Sequence, residues 1–366
     1  VVTTSKPPTV YDVASLAGVS IATVSRVFRR PQEVTASTRE TVQKAVRELG
    51  YVPSGSARSL AARRSGAIGL CFPDFDGMDE IEPLRFSDGT VSVRQDPAHP
   101  LQPSADRYIA EVIRGVQLEA WRHQTAVTVA IARGRRGAEL FEDLAGRVDG
   151  LVTLSRTIPD DQLLHFARRL PVVVVAGPRA GDDYDHVTTD NAGGMQALTA
   201  HLVAEHGVRE PTYVAGPAAS PDDRARFSGF RAALRDAGLP APTVPSIRGG
   251  FTRDGGREVA RALLAAAAPL PRALVCGNDQ MALGVLEELT AAGFRVPQDV
   301  IVTGFDGIEP TELTHPRITT VHQPMLDLGR AAVELLRGRM ADRSRAPRAQ
   351  VLAVEVLLRE SCGCGR

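Results

Sequence analysis

Apolar and polar positions along this chain change their period several times, and each change marks an element. In the first stretch, Val13, Leu16 and Ala17 fall on one helical face, and Val24 and Val27 follow at i, i+3 spacing. This predicts two short helices joined by a tight turn. Thr9 and Asp12 stand three apart as a capping box with a short carboxylate, Gly18 suits the positive φ of the turn, and Ser20 suits the N-cap of the second helix. Ala14 is small enough for a close helix crossing. Residues 38–49 carry Val42, Ala45, Val46 and Leu49 on one face and end at Gly50, so a third helix is expected to complete one small core.

From Ala67 onward, continuous apolar runs alternate with amphipathic stretches. Strands are expected at 67–72, 126–132, 150–155, 172–176, 211–215, 244–247, 273–276 and 300–304, and helices near 108–122, 160–169, 192–205, 222–237, 253–266 and 280–292. Runs of Val, Ile, Leu and Ala separated by helices indicate parallel sheets covered on both faces. The strands are too many for one comfortable sheet, and Gly177-Pro178 with Asp182-Asp183 offers a crossing point, so two lobes with a cleft between them are expected. The segment 76–105, rich in Asp, Glu and Pro, breaks the alternation and reads as an inserted loop.

Open parallel sheets bind ligands at the carboxyl ends of their strands. Those ends carry Pro73-Asp74, Ser155-Arg156, Arg179, Asp190, Arg248 to Phe251, Asn278-Asp279 and Phe305-Asp306. Carboxylates, amides and guanidinium groups around an aromatic face suit a hydroxyl-rich ligand such as a sugar. Asp and Asn after a strand serve equally as helix N-caps, so both roles stay open for this set.

Charge sharpens the picture at one end only. The 366 residues have a formal net charge of zero, yet residues 1–66 hold ten basic side chains against four acidic ones. A basic head whose second helix turns Ile21, Ala22, Ser25 and Arg26 outward points to nucleic acid, although an amphipathic hairpin alone would read the same way. No apolar run approaches the roughly 18 residues a membrane span needs, and Val1 to Pro8 shows no secretory signal, so a cytoplasmic protein without a membrane partner is expected. Cys71 and Cys276 sit in apolar runs, and Cys362 and Cys364 form a C-G-C ending without partners at zinc spacing in the sequence. No metal site is therefore expected. No dinucleotide glycine motif, phosphate loop, nucleophile elbow or H-E-x-x-H appears, and the histidines are scattered, so neither a cofactor nor an enzyme activity is expected.

The run TVYDVASLAGVSIATVSRVF, then VTASTRETVQKAVRELGYVPS, then ARSLAARRSGAIGL resembles the lactose/galactose repressor (LacI/GalR) family of bacterial transcription regulators in order and spacing. RARFSGF, CGNDQMALG, VTGFDG and LRES agree with it further on. The resemblance implies an all-α helix-turn-helix head and an α/β body of two doubly wound parallel-sheet lobes of the periplasmic-binding-protein-like type. It implies a DNA-binding domain over 1–53, a hinge helix within 54–66, and a body over 67–366 with lobes at roughly 67–176 with 305–325 and 177–304 with 326–361.

Residue by residue, the resemblance places Ile21 and Ala22 at the base-selecting positions, Arg26 on a guanine, and Tyr11, Thr23, Ser25 and Thr38 near phosphates, with Ser20 also in the DNA-binding set. Ser56, Ala57, Leu60 and Ala61 fall on the hinge helix, with Leu60 as the wedge that opens a base step in the minor groove. Tyr108, Arg226, Phe251, Asn278, Asp279 and Asp306 fall at the effector site, where Ile109 stands in place of an aromatic. A homodimeric regulator of double-stranded operator DNA, most simply a repressor answering a sugar-like effector, is thus expected. A solute-binding protein with the same two-lobed body is the competing reading, and the basic head disfavours it.

Overall fold

The computed structural model describes residues 8–52, 64–73, 107–132, 137–177, 183–266 and 268–364, with positions 86, 89, 91 and 93. Ser56, Ala57, Leu60, Ala61, Arg179 and most of the 76–105 segment lie outside the described residues. The chain divides into two compact units, Val1–Gly66 and Ala67–Arg366.

In the first unit, helices α1 (Val10–Ala17), α2 (Ile21–Arg29) and α3 (Ala36–Leu49) form where the periodicity places them. The amide and hydroxyl of Thr9 both donate to Asp12 Oδ2 at 2.7 Å, fixing the start of α1. Gly18 ends it at φ 64°, a conformation that a side chain would strain. The chain then bends by 104° into α2, whose N-cap Ser20 accepts from the Thr23 amide at 3.1 Å. Val13, Ala14, Val24, Val27, Val42 and Ala45 form the core. Leu16, expected on the inner face, is instead 50% exposed, because Ala14 rather than Leu16 takes the crossing point.

The second unit holds two parallel sheets. The first contains β1 (Ala67–Pro73), β2 (Ala126–Ala132), β3 (Leu151–Leu154), β4 (Val172–Val175), β5 (Asp185–Thr189) and β11 (Ala349–Leu352), in the order β11-β5-β4-β3-β1-β2. The second contains β6 (Thr212–Ala215), β7 (Ile247–Arg248), β8 (Ala273–Cys276) and β9 (Ile301–Thr303), in the order β7-β6-β8-β9. A short antiparallel pair, β10 (Thr320–His322) with β12 (Glu355–Leu357), lies beyond β9, which it reaches through the Thr303–Thr319 bridge. The interior positions of β3, β4 and β8 are buried throughout, as expected for strands covered on both faces. The covering helices are α4 (Arg107–Arg122), α5 (Gly137–Ala145) and α6 (Asp160–Ala167) on the first sheet, and α7 (Asn191–His206), α8 (Pro221–Asp236), α9 (Arg253–Ala265) and α10 (Asp279–Ala291) on the second. The short α11 (Pro310–Leu313) precedes β10, and α12 (Met325–Ala341) follows it.

The pairing corrects the expected lobe boundaries. The chain first leaves the first sheet after β5 rather than near 177, and α7 begins the second lobe. It returns after β10, so α12 and β11 belong to the first lobe rather than the second, while residues 305–322 stay with the second. A last crossing between β11 and β12 completes three strand crossings. The reason is that β5 is not an apolar run. Its sequence Asp-His-Val-Thr-Thr is buried because Asp185 is neutralised: its carboxylate accepts from Arg339 Nε and Nη2 at 3.1 and 2.9 Å, from Arg345 Nη2 at 2.5 Å and from the Arg348 amide at 2.7 Å. Those partners lie on α12 and in the segment leading to β11, so one carboxylate ties the returning chain to the strand it pairs with.

Candidate functional site

Two places gather chemistry. In the head, α2 leaves Ile21 41% exposed and Ala22 and Arg26 exposed, while Val24 and Val27 face the core. Tyr11 at the start of α1 is exposed as well. Ser20 and Thr23 share a hydroxyl contact at 2.9 Å, Thr35 and Thr38 share another at 2.9 Å, and Ser25 is half-buried. A short helix that presents the Arg26 guanidinium, two apolar tips and a rim of hydroxyls has the surface that enters a major groove. Arginine can read the acceptor pair of a guanine and the apolar tips a thymine methyl, while hydroxyls and amides meet phosphate.

In the body, a cavity of about 160 Å³ lies where the carboxyl ends of the two sheets face each other. Pro73, Tyr108, Ile109, Leu154, Ser155 and Ala176 line it from the first lobe, and Ser220, Asp222, Arg226, Phe251, Asn278 and Asp306 from the second. Among the described residues, three of the five non-glycine positions with positive φ, Ala176, Phe251 and Asp306, belong to this lining, which concentrates backbone strain at the cavity. Phe251 lies so close over Gly216 that a Cβ there would stand 2.2 Å from the ring, so only glycine admits the aromatic in this position.

Arg226 is the hub. It is buried, donates from Nε to Asn191 Oδ1 at 2.8 Å and from Nη1 to the Gly277 carbonyl at 2.7 Å, and pairs with Asp306 Oδ1 at 3.4 Å. Its guanidinium stacks 3.8 Å from the Phe305 ring centroid, which offsets part of the cost of burying charge. Asp306 Oδ1 also accepts from Gln323 Nε2 at 2.6 Å, and Gln323 Oε1 accepts from Thr189 Oγ1 at 3.0 Å. On the other side, Asp222 Oδ1 accepts from Asn191 Nδ2 at 3.2 Å and from the Gly177 amide at 2.9 Å. Burial pushes the Asp222 carboxyl above the ordinary range, against the Arg226 charge and the Gly177 amide. A continuous polar chain thus runs from the lobe crossing at Thr189 and Gln323, through the cavity, to the end of β4.

Five of the six residues expected at an effector site, Tyr108, Arg226, Phe251, Asn278 and Asp306, line this cavity. Asp279 does not. It is fully buried, with Oδ2 accepting from the amides of Gly307 and Ile308 at 2.7 and 2.9 Å and Oδ1 from Thr320 Oγ1 at 2.6 Å. Its carboxylate fastens the loop after β9 and strand β10 to the start of α10. The N-cap alternative holds elsewhere in the set: Asp190 caps α7 through the Gly193 amide at 2.8 Å, and Asn278 caps α10 through the Met281 amide at 3.0 Å while lining the cavity. Sequence reasoning missed Asp222 and Asn191 because each sits at a helix start, where Asp and Asn are ordinary. Their signal is tertiary: both turn toward one arginine. Of the groups able to hold a metal, the cluster of His201, His206, Cys362 and Cys364 corrects the expectation that the C-G-C ending has no partners.

Residues 9–54 match the family described as bacterial regulatory proteins, lacI family, and residues 199–362 match the periplasmic binding protein-like domain. The chain is 30% identical over 357 residues to the transcriptional repressor CytR of Escherichia coli (strain K12), covering 96% of both. Among solved structures, it resembles that of the transcriptional regulator CelR in complex with cellobiose (32% identity, TM-score 0.68, 97% of this chain and 99% of the other). It also resembles the lac repressor dimer bound to operator and an anti-inducer (26% identity, TM-score 0.80, 98% and 99%).

Proposed function

Because this chain belongs to the lacI family of bacterial regulatory proteins, and is a DNA-binding transcriptional regulator, we propose that its output is operator affinity set by a sugar-like effector held between the lobes. The observation that carries the reading is the cavity, lined in equal parts by both lobes and crossed by the Arg226 hydrogen-bond chain. A hydroxyl-rich ligand there meets a guanidinium, two carboxyls, an amide and three hydroxyls around the Phe251 ring. CelR is known in complex with cellobiose, a hydroxyl-rich ligand, and the lac repressor as a dimer bound to operator.

The mechanism follows from the three crossings. A ligand that engages Arg226, Asp306 and Asp222 together bonds to groups already linked to Asn191, Gln323 and Gly177, and so favours one relative arrangement of the lobes. It changes operator affinity to the extent that it binds one arrangement better than the other. The chain acts as a homodimer on a pseudo-palindromic site, each head reading one half. It works in the cytoplasm, at the nucleoid, and catalyses no reaction. Among the described residues no single helix is long and apolar enough to cross a membrane.

Selection of bound genomic fragments tests this reading. Sequence-selective binding that weakens steeply with salt is expected, and binding with no preference among fragments contradicts it. On the selected operator, Arg26→Ala is expected to cost about 1–3 kcal/mol of discrimination at one base pair per half-site. An unaltered preference at every position removes Arg26 from base reading.

A further inference from the structure

The chain ends in a C-G-C run that follows β12, far from any metal-ligand partner in sequence. The fold brings that run onto the last turns of α7. His206 Nε2 and His201 Nε2 stand 3.2 Å apart, and each stands 3.2 Å from Cys364 Sγ. With Cys362 Sγ, the four ligand atoms all lie within 4.8 Å of one another. The imidazole rings meet edge to face, with centroids 5.0 Å apart and planes at 72°, so their Nε2 atoms converge on a common point rather than stacking.

Three lone-pair-bearing atoms at mutual distances of 3.2 Å have few hydrogens to share between them. Each neutral imidazole carries one N–H, and a thiol adds one weak donor. A cation at the centre satisfies all of them at once. Zn(II) bonds of about 2.0–2.1 Å to imidazole nitrogen and about 2.3 Å to thiolate set tetrahedral ligand atoms about 3.3–3.8 Å apart, close to the spacing found. Two nitrogens and two sulfurs select a borderline-soft cation over calcium or magnesium, which take oxygen. Two thiolates also balance the charge of the ion.

We propose that His201, His206, Cys362 and Cys364 bind one Zn(II) ion, with release of the two thiol protons, and that this ion pins the C-terminal segment to α7. Cys362 is buried at the base of the cluster and Cys364 is exposed above it, so the ion enters from the surface. The site lies in the second lobe, apart from the cavity. Its role is a staple, closing a loop of 158 residues between His206 and Cys364.

The test uses the full chain, stripped with a chelator under reducing conditions. Titration with Zn(II) against a chromophoric competitor is expected to give one tight equivalent per chain. Co(II) is expected to give the visible bands of tetrahedral coordination together with thiolate charge transfer in the near ultraviolet. Cys364→Ser, at an exposed position, and His206→Gln are each expected to weaken Zn(II) by more than about 100-fold, since even outer-shell partners are worth about 10–100-fold. Zn(II) is expected to raise the Tm of the unsubstituted chain and not of either variant. Absence of tight Zn(II) binding, a Co(II) spectrum without thiolate charge transfer, or full affinity in both variants overturns the proposal.

Discussion

Asp185→Asn is expected to lower the unfolding free energy by about 3–5 kcal/mol, the usual cost of removing one partner from a buried ion pair. Asp185 is fully buried, and Arg339 and Arg345 are 9% and 14% exposed at their side chains, so the substitution strands two guanidinium groups where water does not reach them well. Asparagine keeps the shape but not the charge, and its amide hydrogens face the donors that the carboxylate accepted. The effect carries a pH signature. Burial pushes the Asp185 carboxyl up, but the hydrogen bonds of Arg339 and the Arg348 amide, with the two guanidinium charges, outweigh it and hold the group below its ordinary range. A carboxyl depressed in the folded state stabilises fully above its unfolded pKa of about 3.9 and loses that contribution as pH falls through the folded value. Urea denaturation is therefore expected to show the full gap between the two proteins at pH 7, closing as pH drops below about 4. A gap under about 1 kcal/mol at pH 7 contradicts the assigned role.

Asp279→Ala is expected to be nearly as damaging. It leaves the amides of Gly307 and Ile308 and the Thr320 hydroxyl without their acceptor in a fully buried place. Each unsatisfied buried group costs about 1–3 kcal/mol. Partial relaxation brings the total to about 3–5 kcal/mol, the range of the most harmful single substitutions. The cost is expected to appear as a lowered Tm. A variant with an unchanged Tm and no ligand response would make Asp279 a direct ligand rather than a fastener of the loop after β9.

These two carboxylates also mark where the sequence stops being readable. The head was legible because its signals are local: Gly18, the caps at Thr9 and Ser20, and apolar spacing within single helices all act over a few residues. Strands such as β4 and β8 were legible because burial on both faces demands continuous Val, Leu and Ala. β5 was not, since its burial depends on Arg339 and Arg345, more than 150 residues later. That one missing strand displaced the expected lobe boundary and put α12 in the wrong lobe. Asn278 and Asp279 are adjacent in sequence and alike in chemistry, yet one faces the cavity and the other a loop amide pair. Strand-end position alone cannot separate them, whereas the partners across β10 do. The same limit hid the histidine and cysteine cluster, whose halves meet only after the chain has completed the second lobe.

Ligand in the cavity and operator at the heads are expected to bind to one coupled molecule. The sugar that gives the largest thermal shift among mono- and disaccharides identifies a working effector. The decisive measurement is then the operator Kd with and without that sugar, together with the sugar Kd with and without operator. Linkage requires the two ratios to be equal, and coupling of this kind is commonly about 5–150-fold. Equal ratios within that range are expected, both collapsing toward one in Arg226→Ala. A sugar that binds tightly while leaving operator affinity unchanged would contradict this coupling.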